Sequence, residues 1–207
     1  MQTIARGDGL SERAGRIDRH PRRIPGDPGI WVFILLDMLI FAEMFIILAW
    51  YRTEHHEVFE AAQRLVIPGY GLTYTVLLLT SSWCVVMAVT AARKGSVKLS
   101  SDFATWGLAL GAAFVVIKLV EYSTKLAAGI TPATNEFFMF FFVMTLVHLL
   151  HASAGLGVLT YMRRKIRGLE AVSPAPDAIR MIETSAVYWH MVDLLWIVLF
   201  ALFYLES

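Results

Sequence analysis

"VYWHMVDLLWIVLFALFYL", residues 187–205, is apolar enough to cross a membrane yet carries His190 and Asp193 three positions apart. A bilayer core of about 30 Å is crossed by about 20 helical residues rising 1.5 Å each, so this stretch has the length of one span. An imidazole and a carboxylate at that depth each need a partner or a task, because an ionisable group there costs about 2.5–3.5 kcal/mol on insertion scales. The fold follows from how often this pattern recurs.

Four more stretches of similar length precede it, at about 30–50, 70–92, 103–127 and 137–161, with the last at about 185–205. Turn or charge signals bound each: "PGDPG", "IPGYG", "RKGSVKLSSD", "GITPATNEF" and "RRKIRGLEAVSPAPDAIR". Strands of a membrane barrel would alternate polar and apolar residues over about 10 positions, and these runs do not. The expected fold is therefore an all-α membrane protein, a five-transmembrane-helix bundle over residues 26–207. Composition agrees: 57% of the chain is hydrophobic and only 17% is charged, against roughly 25% charged in soluble domains, and the mean hydropathy is +0.59. No soluble domain fits between the spans.

Residues 1–25 differ, with Arg6, Arg13, Arg16, Arg19, Arg22 and Arg23 among glycines and prolines and almost no aliphatic period; they read as a flexible Arg-rich tail. No short apolar region with a small-residue cleavage site follows, so the first span is expected to be its own targeting signal. The net charge of +1 conceals a strong asymmetry. The tail, the loop with Arg93, Lys94 and Lys98, and the loop with Arg163, Arg164, Lys165, Arg167 and Arg180 fall on one side, against Arg52, Arg64 and Lys125 on the other. By the positive-inside rule the N-terminus is expected in the cytoplasm and the C-terminus outside, in the inner membrane of a bacterium. Cys84, the one cysteine, lies in an apolar run and has no internal disulfide partner.

The intramembrane ionisable residues are Asp37 and Glu43 in the first span, Lys118 and Glu121 in the third, His148 and His151 in the fourth, and His190 and Asp193 in the fifth. Residues three apart share a helix face. Lys118 and Glu121 are thus expected to pair as structural glue, and His190 and Asp193 to meet, the carboxylate orienting the ring. Six apart means a turn of roughly 120°, so Asp37 and Glu43 cannot share a partner in their own helix; one faces the bundle and the other a different helix or subunit. "HLLH" at 148–151 admits metal or haem ligation, but two imidazoles need further ligands, and no Glu-x-x-His pattern builds the di-iron site of a four-helix bundle. His55 and His56 sit beside Glu54 and Glu57 in a loop, read as a solvated or interfacial charge cluster. Trp31, Trp50, Trp189, Tyr51, Tyr70 and Tyr188 lie near span ends as interfacial anchors.

Small residues in "GLALGAA" and "HASAGLG" (Gly107, Gly111, Ala112, Ala152, Gly155, Gly157) allow close helix approach. The bulky "FFMFFFVM" suits lipid or another subunit, so an association face is expected there. No phosphate loop, base-paired nucleophile or dinucleotide turn appears, and no nucleic-acid partner is expected. Readings left open are a haem-binding electron carrier using His148, His151 or His190, and a small transporter or proton channel; the lack of an inverted repeat lowers the second.

Five blocks in order, one per span or adjoining pair, resemble cytochrome c oxidase subunit III over residues 27–205: "GIWVFILLDMLIFAEMF", "VLLLTSSWCVVMAV", "GAAFVVIKLVEY", "GITPATNEFFMFFFVMTLVHLLHASAGL" and "YWHMVDLLWIVLFALFYL". The family's usual Gln before its Glu-Tyr pair is Lys118 here, and its "TGFHGLHV"-like segment is "TLVHLLHASAG". With the short five-span form, these departures look most like the nitric oxide reductase-associated branch, with five-span quinol oxidase subunits as neighbours. The resemblance implies an accessory subunit of a haem-copper oxidase or nitric oxide reductase complex of the respiratory chain. Such a subunit has no catalytic residues, haem or copper of its own, which belong to catalytic subunit I; it holds phospholipid in a cleft between its first two core helices and the rest, and supports proton uptake and durability. The family positions map to Asp37, Glu121 with Tyr122, His148, and His190 with Asp193; Glu43 has no family counterpart.

Overall fold

The structure, a computed structural model, describes residues 26–169 and 175–205. The Arg-rich segment 1–25 lies outside the described residues. Among the described residues five helices are long and apolar enough to span a membrane: α1 (Pro28–Glu54), α3 (Pro68–Arg93), α4 (Val97–Ala127), α5 (Glu136–Arg167), and α6 (Pro176–Phe200), which runs on as a π-helical turn over Ala201–Leu205. A short sixth helix, α2 (His56–Gln63), joins α1 to α3. Each span contains the stretch expected from sequence and overruns it, most of all α5 and α6, whose ends carry charged residues past the apolar core.

The starts of the helices follow from local chemistry. Pro28, Pro68 and Pro176 occupy the first turn, where a missing amide costs nothing. Asp27 accepts from the Gly29 amide and Asn135 from the Phe138 amide, both at 2.9 Å, satisfying donors that lipid cannot. Between α3 and α4 the chain reverses through Gly95 at φ 72°, a left-handed conformation that favours glycine. Within the spans, Thr73, Thr75, Thr80, Thr90, Ser153 and Thr160 return their hydroxyls to the carbonyl four residues back, so these donors are satisfied within their own helices.

Helices α3 to α6 form the core, with α3 against α4 and α6, and α5 against α4 and α6. Close packing is made by specific small residues. Ser81 and Ser100 donate to the Gly107 and Ala88 carbonyls at 2.7 Å, stitching α3 to α4. A methyl on Gly111 or Gly155 would stand 2.7–2.9 Å from the Trp189 ring, so the two glycines form the slot that receives this indole. Trp189 is thus fully buried and is not an interfacial anchor, and Tyr188 is buried beside it; a position near the span end was outweighed by a slot of matching shape. Gly157, also expected at a close contact, has nothing within 4 Å of its added methyl.

Most of "FFMFFFVM" likewise lies inside, while Met139 and Val143 stay exposed on the outer face of α5. Phe137, Phe138, Phe141, Phe142 and Met144 are buried, with Phe137 edge-on to Phe59 of α2 and Phe203 of the π turn. Aromatic bulk here fills the chain's own interior, under a helix that sequence reading had as loop. Trp31, Trp50 and Tyr51 remain exposed at the ends of α1. This helix is peripheral: 17% of its apolar window is buried, against 50% for α3, α5 and α6.

Candidate functional site

A charged cluster lies at the end of the bundle that carries α2. Lys118 and Glu121, one turn apart on α4, are 0% and 1% exposed, and Nζ stands 2.7 Å from Oε2. Tyr74 of α3 donates to Oε2 at 3.1 Å, and Tyr204 of the π turn donates to Oε1 at 3.1 Å. Lys118 in turn donates to the Tyr204 oxygen at 3.0 Å. Glu121 therefore accepts from the Lys118 nitrogen and two phenols. Lys125, one turn further on, stands 3.9 Å from Oε1 and is also buried.

Aromatic faces surround the two lysine nitrogens. The Lys118 ammonium lies 4.7–5.6 Å from the ring centres of Tyr74, Tyr122, Phe141, Trp196 and Tyr204, and Lys125 lies 5.2 Å from that of Phe141. Desolvated cation–π contacts contribute up to about 2 kcal/mol each, which offsets part of the cost of a cation away from water. Beside them Tyr122 shares a 2.6 Å hydrogen bond with Thr145. Gly71 makes room for this arrangement, since a methyl there would stand 2.6 Å from the Tyr204 ring.

Asp37 reaches across from α1 to His151 of α5, Oδ1 to Nε2 at 3.0 Å. His151 Nδ1 lies 2.8 Å from the Val147 carbonyl, which can only accept, so Nδ1 carries a hydrogen. The Asp37–His151 link was not visible from spacing, because its members lie 114 positions apart.

His190 and Asp193 do not meet. His190 Nδ1 is hydrogen-bonded to the Ser82 hydroxyl of α3, which also lies close to the Asp193 carboxylate; Asp193 Oδ1 has no hydrogen bond. The serine stands on the neighbouring helix and intercepts the ring that sequence spacing assigned to Asp193. His148 is fully buried against Phe114 and Trp196, and neither ring nitrogen has a partner. The two imidazoles of "HLLH" thus serve different surroundings, and among the described residues no three His, Cys, Asp or Glu side chains converge as a metal site. Glu43 is exposed.

Sequence reading missed several partners. Glu183 of α6 binds Arg93 of α3 at 2.8 Å and accepts from the Gly26 amide at 3.2 Å, while Thr184 accepts from the Asp27 amide at 2.9 Å. These tie the start of α1 to α3 and α6. Lys125 alone carried a usable signal, its four-residue spacing from Glu121.

The family profile of Cytochrome c oxidase subunit III matches residues 27–207, the whole membrane region. The chain belongs to this family. Among curated relatives, Cytochrome bo(3) ubiquinol oxidase subunit 3 of Pseudomonas aeruginosa is 31% identical over 180 residues, 86% of this chain and 83% of its own. Cytochrome c oxidase subunit 3 of Corynebacterium diphtheriae is 30% identical over 85% of each chain. Quinol oxidase subunit 3 of Bacillus spizizenii is 29% identical over 86% of this chain and 85% of its own. As a subunit III protein, the chain is a multi-pass bacterial membrane protein of the accessory, non-catalytic kind.

Proposed function

We propose that this subunit III chain packs against the haem-copper catalytic subunit of a respiratory terminal oxidase, binds phospholipid, and supports assembly and proton uptake. Haem and copper belong to the partner. The observation that carries the reading is the family match across all five spans, together with the internal use of the intramembrane charges: Lys118 and Lys125 each pair with Glu121, which Tyr74 and Tyr204 reach from α3 and the π turn, and Asp37 binds His151. Groups spent on holding helices together suit a rigid support more than a substrate path. Asp37, Tyr122, His148, His190 and Asp193 are proposed as structural or proton-related positions on the same footing. The chain lies in the cytoplasmic membrane with its N-terminus inside, which places the Lys118 cluster in the outer half and the Ser82, His190 and Asp193 group in the inner half.

The test is purification of a tagged full-length chain from native membranes in mild detergent, with mass spectrometry and a reduced-minus-oxidised haem spectrum. A stoichiometric haem-copper subunit is the expected result, and its identity separates a quinol or cytochrome c oxidase from a nitric oxide reductase. Recovery with no haem protein overturns the reading.

A further inference from the structure

We infer that one flank of α1 is a helix-docking seam, centred on Glu43, for a transmembrane helix of another chain that carries a lysine, arginine or histidine at matching depth. Glu43 stands two residues past the middle of the 27-residue α1, about 3 Å along the axis, whereas the hydrocarbon extends about 15 Å to either side. Its short side chain cannot reach the headgroups from there. It is exposed, and it makes no hydrogen bond or ion pair among the described residues. A carboxylate left against lipid at that depth is costly, and the other acids deep in the apolar stretches, Asp37, Glu121 and Asp193, are buried, whereas the exposed Glu54 and Asp102 stand near helix ends.

The neighbours of Glu43 show what shape the missing cover has. Leu36, Ile40, Ile47 and Trp50 are 57%, 57%, 42% and 65% exposed, and with Glu43 they repeat at spacings of four, three, four and three. This is the 3.5-residue repeat by which one helix receives the knobs of another, with a single polar residue at its centre. The inner face of α1 runs on a separate line through Asp37, Phe41 and Leu48, so the seam is not needed for attachment to the chain's own bundle. Charge selects the occupant. A second copy related by a two-fold axis would bring Glu43 against Glu43, like charges in low dielectric, whereas a cationic side chain completes both charges.

The proposal rests on the accessory-subunit reading for the existence of a partner chain, and its test separates the two. A photo-crosslinking benzoylphenylalanine is placed at Ile47, within the seam, and as a control at Val116, exposed on α4, in the full chain within native membranes. The expected result is an Ile47 adduct that maps to a transmembrane helix bearing Lys, Arg or His, with no such adduct from Val116. Glu43→Gln is expected to lower the adduct yield by about threefold, and Glu43→Lys to abolish it. Because Glu43 makes no hydrogen bond or ion pair among the described residues, the isolated Glu43→Gln protein is expected to unfold at an unchanged temperature, which excludes misfolding as the cause. Adducts only to lipid or to a second copy, or a yield indifferent to Glu43→Lys, overturn the inference. Co-purification of a haem-copper subunit without an Ile47 adduct sinks this inference alone. An adduct to a cation-bearing helix of a protein unconnected with haem sinks the subunit reading and leaves the seam standing.

Discussion

Tyr204 donates its phenol to Glu121 at 3.1 Å while accepting from Lys118 at 3.0 Å, so the last turn of the final helix closes the charge cluster of α4. The carboxylate depends on both lysines and both tyrosines, and they depend on it.

Removing one member is therefore worse than removing two. Glu121→Gln leaves Lys118 and Lys125 without a counter-charge in a buried site and is expected to cost about 3–5 kcal/mol. The double variant Lys118→Gln with Glu121→Gln is expected to recover much of that. Thermal unfolding in detergent checks the order; equal midpoints for the single and double variants would contradict the cluster as described.

The Trp189 slot gives a sharper steric test. Gly155→Ala places a methyl about 2.8 Å from the indole and is expected to destabilise by about 1–3 kcal/mol, with Trp189→Phe relieving part of it. Gly157→Ala, two residues on, meets nothing within 4 Å and is expected to be neutral or stabilising by up to about 1 kcal/mol. Tryptophan fluorescence through the unfolding transition distinguishes them.

Asp37 and His151 join α1 to α5, and α1 has few other attachments. Asp37→Leu is expected to speed amide hydrogen exchange along α1 and leave α3 and α4 as protected as before. A uniform rise in exchange across all five spans would mean that the pair supports the whole bundle.

Topology is open to labelling from either side of the membrane. A cysteine at Ser96, in the α3–α4 turn, is expected to react with an impermeant maleimide only in inverted vesicles, and one at Thr134 only in right-side-out ones. Cys84 is buried and is expected to stay silent. Reversed labelling would overturn the charge-based orientation.

The five spans and the Lys118–Glu121 pair are legible along the chain alone. Hydrophobic length is a property of consecutive residues, and a three-residue spacing on one helix sets side chains face to face whatever surrounds them. Turn residues bounded the spans to within a few positions, except where charged helix ends ran on past the apolar core. Even α2 left a trace in His56–Gln63, whose apolar residues were too few to stand apart from a loop.

Which helix meets which emerges from the packing of the bundle. Ser82 took the imidazole that spacing assigned to Asp193, and His151 took Asp37 across 114 positions. Trp189 left the interface for a slot between two glycines, and the phenylalanines of α5 turned inward under α2. In lipid every helix face is apolar, so hydrophobicity no longer says which side is in. That choice falls to shape and to the few polar groups that must find one another, and both are settled between helices rather than along the chain.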